Sequence, residues 1–211
     1  MPDATSLTIY LTAALVLAIT PGPGIFYVLT RSLKGGRGEG YASAFGTTIG
    51  GIFHVMAAAL GLSAVLATSA VAFSIVKYAG AAYLVFLGLR TIFASDDLEI
   101  DEEKPSSTPN GALRQGIVTE MLNPKTALFF LAFIPQFIDP TGSVFTQFLV
   151  LGMISVTMNT SADLVVATLA GPIGGALKRQ AGLRRGQRLF SGSGLIALGA
   201  YVAVTGNGET T

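Results

Sequence analysis

The segment EMLNPKTALFFLAFIPQF, from Glu120 to Phe137, decides the fold because it combines two opposing tendencies. Most of it is apolar enough to leave water, yet Asn123, Pro124 and Lys125 interrupt it. Proline lacks an amide hydrogen and clashes with the carbonyl one turn back, so a helix bends or opens there. A charged lysine inside an apolar helix needs a partner or water. The segment therefore predicts a broken apolar helix whose break faces something polar.

The rest of the chain indicates that the apolar surroundings are a lipid bilayer. Of the 211 residues, 51% are hydrophobic and only 12% are charged, whereas soluble domains carry about 25% charged residues. About 20 consecutive apolar residues cross a bilayer as a helix. Six runs of roughly this kind are Leu7–Thr30, Tyr41–Leu62, Ala70–Phe93, Ala112–Phe137, Phe145–Ala170 and Leu189–Thr205. We therefore expect an all-α integral membrane protein with six transmembrane helices, the first of them retained rather than cleaved as a signal peptide.

The basic residues predict the orientation of these helices. All Lys and Arg residues except Lys77 and Lys125 lie in the loops after the first, third and fifth spans. Basic loops stay in the cytoplasm, so the N and C termini are both expected to face outward, away from the cytoplasm. Residues 95–111 are acidic and then rich in Pro and Ser, which is typical of a flexible linker. This cytoplasmic linker would join two three-helix halves, residues 1–94 and 112–211.

Three spans per half require the second half to enter the membrane from the opposite side. The motif TPGPG (Thr20–Gly24) interrupts the first span, and NPKT (Asn123–Thr126) interrupts the fourth at a corresponding place. Paired interruptions in inverted halves indicate a transport site near the bilayer midplane, because freed backbone groups are tolerated where they line a wet cavity. Proline kinks that serve only packing are the alternative. The candidate substrate-binding residues are Pro21, Gly22, Pro23, Gly24, Asn123, Pro124 and Lys125.

Ionisable residues within spans are functional candidates because burying them is costly. Lys125 is expected to bind the carboxylate of a substrate, or Asp163 when the site is empty; a permanent structural pair with Asp163 is the alternative. Glu120 and Asp163 are candidates for proton coupling. Gate-closing contacts with Arg114 or Lys178 are an equally open interpretation of both carboxylates.

Two further residues within spans are predicted to have structural roles. His54 is expected to hydrogen-bond to a neighbouring helix, with a proton relay as the alternative. The Gly46-x-x-x-Gly50 spacing just before it suits close helix contact, here expected inside one bundle. Lys77 lies near the outer end of the third span, so its stem is expected to reach the lipid headgroups.

The composition excludes several other functions. The chain has no cysteine and one histidine, so neither a thiolate metal site nor a transition-metal transporter is expected. A nucleophile motif, a phosphate loop and a metal cluster are also missing, so we expect no enzyme, no cofactor and no nucleic-acid partner. The alternatives to a transporter are a membrane subunit that docks a partner through the acidic loop, and a passive metabolite channel.

The two interrupted motifs, together with three other stretches, resemble the LysE/RhtB family of amino-acid exporters. The other stretches are GTTIGGIFHVMAAALGL (46–62), VKYAGAAYLVFLGLR (76–90) and VLGMISV (150–156), so the resemblance covers nearly the whole chain. It implies a multi-pass bacterial inner-membrane antiporter that exports small amino acids or relatives in exchange for protons. A homodimer is a further possibility for such a protein.

The chain departs from the family pattern at two candidate positions. Asn159 stands where family members often have Asp, and Asp163 follows one turn later on the same helical face. Glu120 stands where a neutral polar residue, often Asn, is usual. Asn159 therefore joins the candidate substrate-binding residues, and both departures bear on the substrate and the coupling ion.

Overall fold

The computed structural model describes residues 2–68, 70–93, 108–139, 141–171, 173 and 181–205. Within this part of the chain the secondary structure is helical, as predicted. The helices are α1 (Ala4–Ile19), α2 (Pro23–Thr68), α3 (Ala70–Ile92), α4 (Pro109–Met121), α5 (Pro124–Leu128), α6 (Val144–Thr168) and α7 (Ala181–Thr205). A π-helical turn, Phe129–Phe133, and a 3₁₀ turn, Ile134–Phe137, continue α5. Lys178 and most of the predicted acidic linker, residues 95–107, lie outside the described residues.

Helix α2 is a helical hairpin rather than a straight rod. Gly36 has φ 76°, a left-handed conformation that glycine adopts without strain. A β-carbon placed on Gly24 would lie 3.8 Å from Thr47 Cγ2, whereas a straight helix would separate these residues by about 34 Å. Residues 23–35 and 37–68 therefore run antiparallel. The turn falls within the basic loop that the sequence predicts between the first two spans.

Both predicted interruptions are present. Helix α1 ends at Ile19 and α2 begins at Pro23, while α4 ends at Met121 and α5 begins at Pro124. Proline suits the first turn of each new helix, because the backbone N–H that proline lacks would have no hydrogen-bond partner within the helix at that position. The axis bends by 44° between α4 and the segment from Pro124 to Phe137. The apolar run around each motif is thus two helical pieces joined by non-helical residues.

Lengths and surfaces of the described helices suit a bilayer. Two of them, α2 within residues 23–61 and the whole of α6, contain a stretch long and apolar enough to cross one, and the bent α4–α5 pair is a third if it counts as one span. Helix α1 is apolar but shorter, at 16 residues. Large apolar side chains lie on the outer faces of these helices, among them Phe45, Phe53, Leu60, Phe86 and Val165. Such faces are expected where lipid replaces water around a bundle.

The largest buried cluster is aromatic and lies beyond the second interruption. Tyr10 of α1 contacts Phe129, Phe133 and Phe137, and the rings of Phe133 and Phe129 stack with centroids 5.0 Å apart. The hydroxyl of Tyr10 donates to the Leu151 carbonyl of α6 at 2.6 Å. This cluster joins α1, α6 and the end of the fourth apolar run, and so holds the two interrupted segments together.

The expectation that Lys77 extends to the headgroups is wrong. Its side chain is only 5% exposed, and its ammonium lies 5.1 Å from the ring centroid of Tyr78. Contact of a cation with an aromatic face partly compensates the loss of water. Gly80, three residues further along α3, packs against Ala132, since an added β-carbon there would lie 2.4 Å from the Ala132 Cβ. This part of α3 therefore lies inside the bundle, which position along the sequence did not reveal.

Glycines allow α2 and α4 to pack backbone against backbone. A β-carbon on Gly46 would lie 2.3 Å from the Leu113 carbonyl, and one on Gly50 would lie 2.8 Å from the Ile117 carbonyl. On the opposite side, a β-carbon on Gly116 would lie 2.7 Å from the Ser43 carbonyl. The close contact predicted from the Gly46-x-x-x-Gly50 spacing is therefore present, and it lies within one chain.

We predict that Gly46→Ala destabilises the protein, because the new methyl group would collide with backbone that cannot move aside. The expected loss is about 1–3 kcal/mol of unfolding free energy, typical of overpacking. Gly61→Ala is the matched control on the same helix, since a β-carbon there meets nothing within 4 Å. Thermal unfolding in detergent should show a lowered midpoint for Gly46→Ala alone. Equal midpoints for the two variants would contradict the tight α2–α4 contact.

Candidate functional site

A small polar cavity lies where the two interruptions face each other and α6 completes the wall. Its volume is about 20 Å³, enough for about one water molecule and too little for an amino acid. In this conformation the cavity therefore has no room for such a solute beside its polar groups. Its lining residues are Gly24, Ile25, Thr47, Thr48, Gly51, Glu120, Asn123, Lys125, Thr126, Phe130, Val156, Asn159, Thr160 and Asp163.

The ammonium of Lys125 binds the end of α1. Its side chain is 5% exposed, and Nζ donates to the carbonyls of Thr20 at 2.8 Å and of Leu17 at 3.2 Å. The last carbonyls of a helix have no partners within the helix and carry the negative end of its dipole. The lysine of the second interruption therefore caps the helix that precedes the first. Its hydrogen bonds go to these carbonyls rather than to Asp163, so the expected pair in the empty site is wrong.

Glu120 and Asn123 shape the second interruption. The Glu120 carboxylate accepts hydrogen bonds from Asn123 Nδ2 at 3.0 Å and from Thr126 Oγ1 at 2.6 Å. Asn123 Oδ1 accepts the backbone N–H of Lys125 at 3.1 Å, as an N-cap for α5. These bonds cross the break and fix the direction in which Lys125 leaves it. They occupy both carboxylate oxygens of Glu120 without the Arg114 contact that a gate would need.

The glycines of the first interruption leave room for the side chains of Glu120 and Lys125 to approach the break. A β-carbon on Gly24 would lie 2.7 Å from Glu120 Oε2, and one on Gly22 would lie 3.2 Å from Lys125 Nζ. The amides of Gly24 and Ile25 belong to the first turn of α2, where no carbonyl precedes them in the helix. This turn is also the positive end of the helix dipole. Pro21 and Pro23 end one helix and begin the next, and the glycines leave room for Glu120 and Lys125 between them.

Asp163 and Asn159 line the cavity from α6, on one face as the sequence predicts. Asp163 is 6% exposed, and its Oδ2 lies 2.7 Å from Thr47 Oγ1 of α2. Asn159 Nδ2 donates to the Ser155 carbonyl of its own helix at 2.9 Å. Three charged side chains from α4, α5 and α6, namely Glu120, Lys125 and Asp163, thus share a single small cavity.

His54 binds the end of α4 outside the cavity lining. Its Nε2 lies 2.9 Å from the Glu120 carbonyl, and because a carbonyl only accepts, Nε2 must carry the hydrogen. The ring also stacks on Phe130, with centroids 6.3 Å apart. This is the bond to a neighbouring helix that the sequence favoured. His54 thus donates a hydrogen bond to the last turn of α4, as Lys125 does to the last turn of α1.

Several cavity residues escaped the sequence analysis. Thr47, Thr48 and Thr160 are threonines within apolar runs, and threonine hydroxyls commonly bond to their own helix, so nothing distinguishes them locally. Position relative to Asp163 would have identified Thr160, since residues three apart share a helical face. Phe130 and Val156 look like core residues in the sequence, and only the packing places them at the cavity.

The fold and the site define a class: a helical bundle in which two broken apolar helices meet at a buried cluster of charges. The family model described as LysE type translocator matches residues 15–206. The chain therefore belongs to the LysE family of translocators, as its resemblance to LysE/RhtB exporters implied. It is a membrane protein of a transport family and not of an enzyme family.

Relatives support the same assignment. An uncharacterized membrane protein of Vibrio cholerae is 32% identical over 194 residues, which cover 92% of this chain and 94% of the relative. The uncharacterized membrane protein YrhP of Bacillus subtilis is 34% identical over 158 residues, 71% of this chain and 75% of the relative. The homoserine/homoserine lactone efflux protein of Salmonella typhi is 29% identical over 194 residues, again 92% and 94%. No solved structure gives a significant match.

We predict that the ring of His54 carries a hydrogen on Nε2 at neutral pH. The chain has one histidine, so ¹⁵N-histidine labelling reports on this ring alone. Nitrogen NMR of the protein in micelles should show a protonated Nε2. Replacing Phe130 by Leu should keep that signal, because the bond to the Glu120 carbonyl does not depend on stacking. A neutral ring protonated only on Nδ1 would contradict the hydrogen bond described here.

Proposed function

We propose that the protein is a proton-coupled, secondary-active exporter of small amino acids or related metabolites across the bacterial inner membrane. The observation that carries the proposal is the cavity at the two helix breaks, which holds Glu120, Lys125 and Asp163 together. Burying three charged side chains among apolar helices is costly. Such a cost is typical of a site that handles a polar solute.

The proposed topology has six spans in two inverted halves, with both termini outside. Helix α1 and residues 23–35 would form the first span, broken at TPGPG, and residues 37–68 the second. Helix α4 with its continuation to Phe137 would form the fourth, broken at NPKT. Each half then begins with a broken span, and the two breaks lie at one cavity. This arrangement supports alternating access, in which one half moves against the other around a fixed site.

The charges of the cavity suit a zwitterion. A substrate carboxylate would take over the ammonium of Lys125 from the Thr20 and Leu17 carbonyls, and the first amides of α2 would give it further donors. A substrate ammonium would lie against Asp163 and Glu120. Asn159 supplies an amide that is able to turn from its own helix toward the substrate. Both ends of an amino acid thus find partners of opposite charge inside one cavity.

Proton coupling follows if the substrate ammonium and a proton compete for Asp163. Both oxygens of Glu120 already accept hydrogen bonds from Asn123 and Thr126, so this carboxylate is occupied at the second interruption. Asp163 accepts from no such pair and lies on α6, across the cavity from Lys125. A substrate binding from the cytoplasm would release the proton of Asp163, and a proton from outside would displace the substrate.

Polar contacts near the hairpin of α2 lie on the proposed cytoplasmic side of the cavity. The hydroxyl of Tyr27 donates to the Ala112 carbonyl at 2.7 Å, and Arg31 donates to the side chain of Gln115. Both contacts join the first proposed half to α4 of the second. Cytoplasmic entry would therefore require α4 to move away from residues 23–35.

We predict that Lys125→Met and Asp163→Asn reduce efflux at least tenfold while the protein still inserts. Each change removes one charged partner of the zwitterion. Proteoliposomes would be loaded with L-homoserine, L-threonine, L-lysine or L-leucine, because a relative's name specifies homoserine efflux, and efflux would be measured with and without a protonophore. Lys34→Met is the matched control, since it removes a lysine away from the cavity. Normal efflux by both cavity variants would show that the site is misassigned.

Comparing efflux with and without a protonophore distinguishes an exporter from a passive channel. Efflux against a concentration gradient should stop when the proton gradient collapses. Efflux that runs only down its gradient, and is unaffected by the protonophore, would support the channel instead.

We also predict the sidedness of single cysteines, which are informative because the chain has none of its own. Cysteine in place of Thr5 or Thr141 should react with an impermeant thiol reagent added to intact cells. Cysteine in place of Gly38, at the hairpin turn of α2, should react only after permeabilisation. Reaction of both Gly38→Cys and Thr141→Cys from the same side would contradict the inverted halves, and the fully reversed pattern would contradict the proposed orientation.

A further inference from the structure

The cavity wall changes from polar to apolar along the line where residues 37–68 of α2 pack against α6. Thr47 Oγ1 lies 2.7 Å from Asp163 Oδ2, whereas a β-carbon on Gly51 would lie 3.2 Å from Val156 Cγ2. The two pairs are about 6 Å apart along α2 and about 10 Å apart along α6. In the proposed topology the Thr47–Asp163 pair lies nearer the cytoplasm, because it is closer to the hairpin turn. The Gly51–Val156 pair lies nearer the outside.

Phe130 lies beyond this second pair, at the outer end of the cavity. It lines the cavity, is buried and belongs to the π-helical turn that follows α5. Gly152 precedes Val156 by one turn of α6, and a β-carbon on Gly152 would lie 3.2 Å from Phe130 Cε1 and 2.8 Å from Val55 Cγ1. The ring of His54 stacks on Phe130. The phenyl ring is therefore held between α2 and α6.

A bound amino acid would fill the two ends of the cavity with different groups. Its carboxylate belongs with Lys125, and its ammonium with Asp163 and Glu120, because these contacts pair opposite charges. Its side chain leaves the carbon atom that lies between those two groups. The apolar end is the part of the lining that the charged groups of the substrate do not need. The side chain is therefore directed toward the outer end.

We propose that Gly51, Phe130 and Val156 form a side-chain subsite that makes the exporter selective for amino acids with short, uncharged side chains. The proposal rests on the exporter function above and names the residues that set its specificity. An amino acid fits only after the cavity enlarges, and these three residues are the apolar surface that its side chain then meets. They offer hydrocarbon from their side chains, so a charged group there would lose water without gaining a partner. Gly51 and Val156 set the width of the subsite, and Phe130 sets its length.

Changes at Gly51 and Val156 are expected to shift the preferred side-chain length in opposite directions. Gly51→Ala adds a methyl group that would lie against Val156, so less room remains for the substrate. Val156→Ala removes two methyl groups from the same place and leaves more room. The double variant, Gly51→Ala with Val156→Ala, combines both changes and should return the preference toward that of the wild type. A general loss of folding would not produce single effects of opposite sign that cancel.

Efflux of an unbranched series of amino acids tests the subsite. Proteoliposomes would be loaded with labelled glycine, L-alanine, L-norvaline or L-norleucine, which differ only in side-chain length. The ratio of norvaline to alanine efflux should rise about tenfold in Val156→Ala and fall about tenfold in Gly51→Ala, because one methylene group in an apolar pocket is worth about that much or more. This ratio does not depend on how much protein is folded. Val165→Ala is the matched control, since Val165 is 54% exposed on the outer face of α6, and it should leave the ratio unchanged.

Lysine and norleucine together test whether the end of the subsite is apolar, because lysine is norleucine with an ammonium on its last carbon. Phe130→Leu keeps an apolar end wall but makes it smaller. It should raise norleucine efflux about tenfold and leave lysine efflux unchanged. An equal rise for both would mean that Phe130 closes an exit instead of contacting a side chain, and would overturn the subsite.

Failure of the subsite is distinguishable from failure of the exporter function. Wild-type efflux of at least one amino acid, with a norvaline-to-alanine ratio that neither Gly51→Ala nor Val156→Ala changes, would overturn the subsite alone. A wild type that exports no member of the series, and none of the four amino acids tested above, would overturn the exporter function as well.

Discussion

The ammonium of Lys125 on the carbonyls of Leu17 and Thr20 is the interaction on which the rest of the site depends. An apolar helix that stops in the middle of a bundle leaves carbonyls without partners, and such groups are intolerable in a dry environment. A lysine that enters an apolar bundle is equally intolerable alone. Where the two interruptions meet, the ammonium and the carbonyls hydrogen-bond to each other, so neither is left without a partner. The contact also joins parts of the chain more than one hundred residues apart.

Charge at the ends of the broken helices organises the surrounding residues. His54 donates to the last turn of α4 as Lys125 donates to the last turn of α1, so a nitrogen donor satisfies both negative ends. The Glu120 carboxylate lies beside the first turn of α2, where the dipole is positive. Glycines at positions 22 and 24 make these approaches possible, because any side chain there would meet Lys125 or Glu120. The ends of the broken helices thus supply polar groups to the site and also fix its position in the bundle.

Much of this architecture was predictable from sequence, and the failures share one physical cause. Uncharged runs and proline motifs follow from local chemistry, so the helical fold, both interruptions and the close approach at Gly46 and Gly50 were predicted correctly. Which residues contact each other across the bundle depends on how each helix is rotated about its own axis. A run that is apolar on all sides gives no information about that rotation. The burial of Lys77 and the choice of carbonyls over Asp163 by Lys125 were missed for this reason. The cavity residues Thr47, Thr48 and Thr160 were missed as well, because they come from two helices.

Accessibility of the cavity tests the central claim most directly, since it asks whether a polar solute reaches the two breaks. Val156 lines the cavity, and Met153 on the same helix is exposed on the outer face. Cysteines placed singly at these positions can be treated with a small water-soluble thiol reagent in membranes, with and without an exported amino acid. The account predicts that Val156→Cys reacts and is protected by the amino acid, while Met153→Cys, facing lipid, does not react. An unreactive Val156→Cys, or a reaction that the amino acid leaves unchanged, would contradict it.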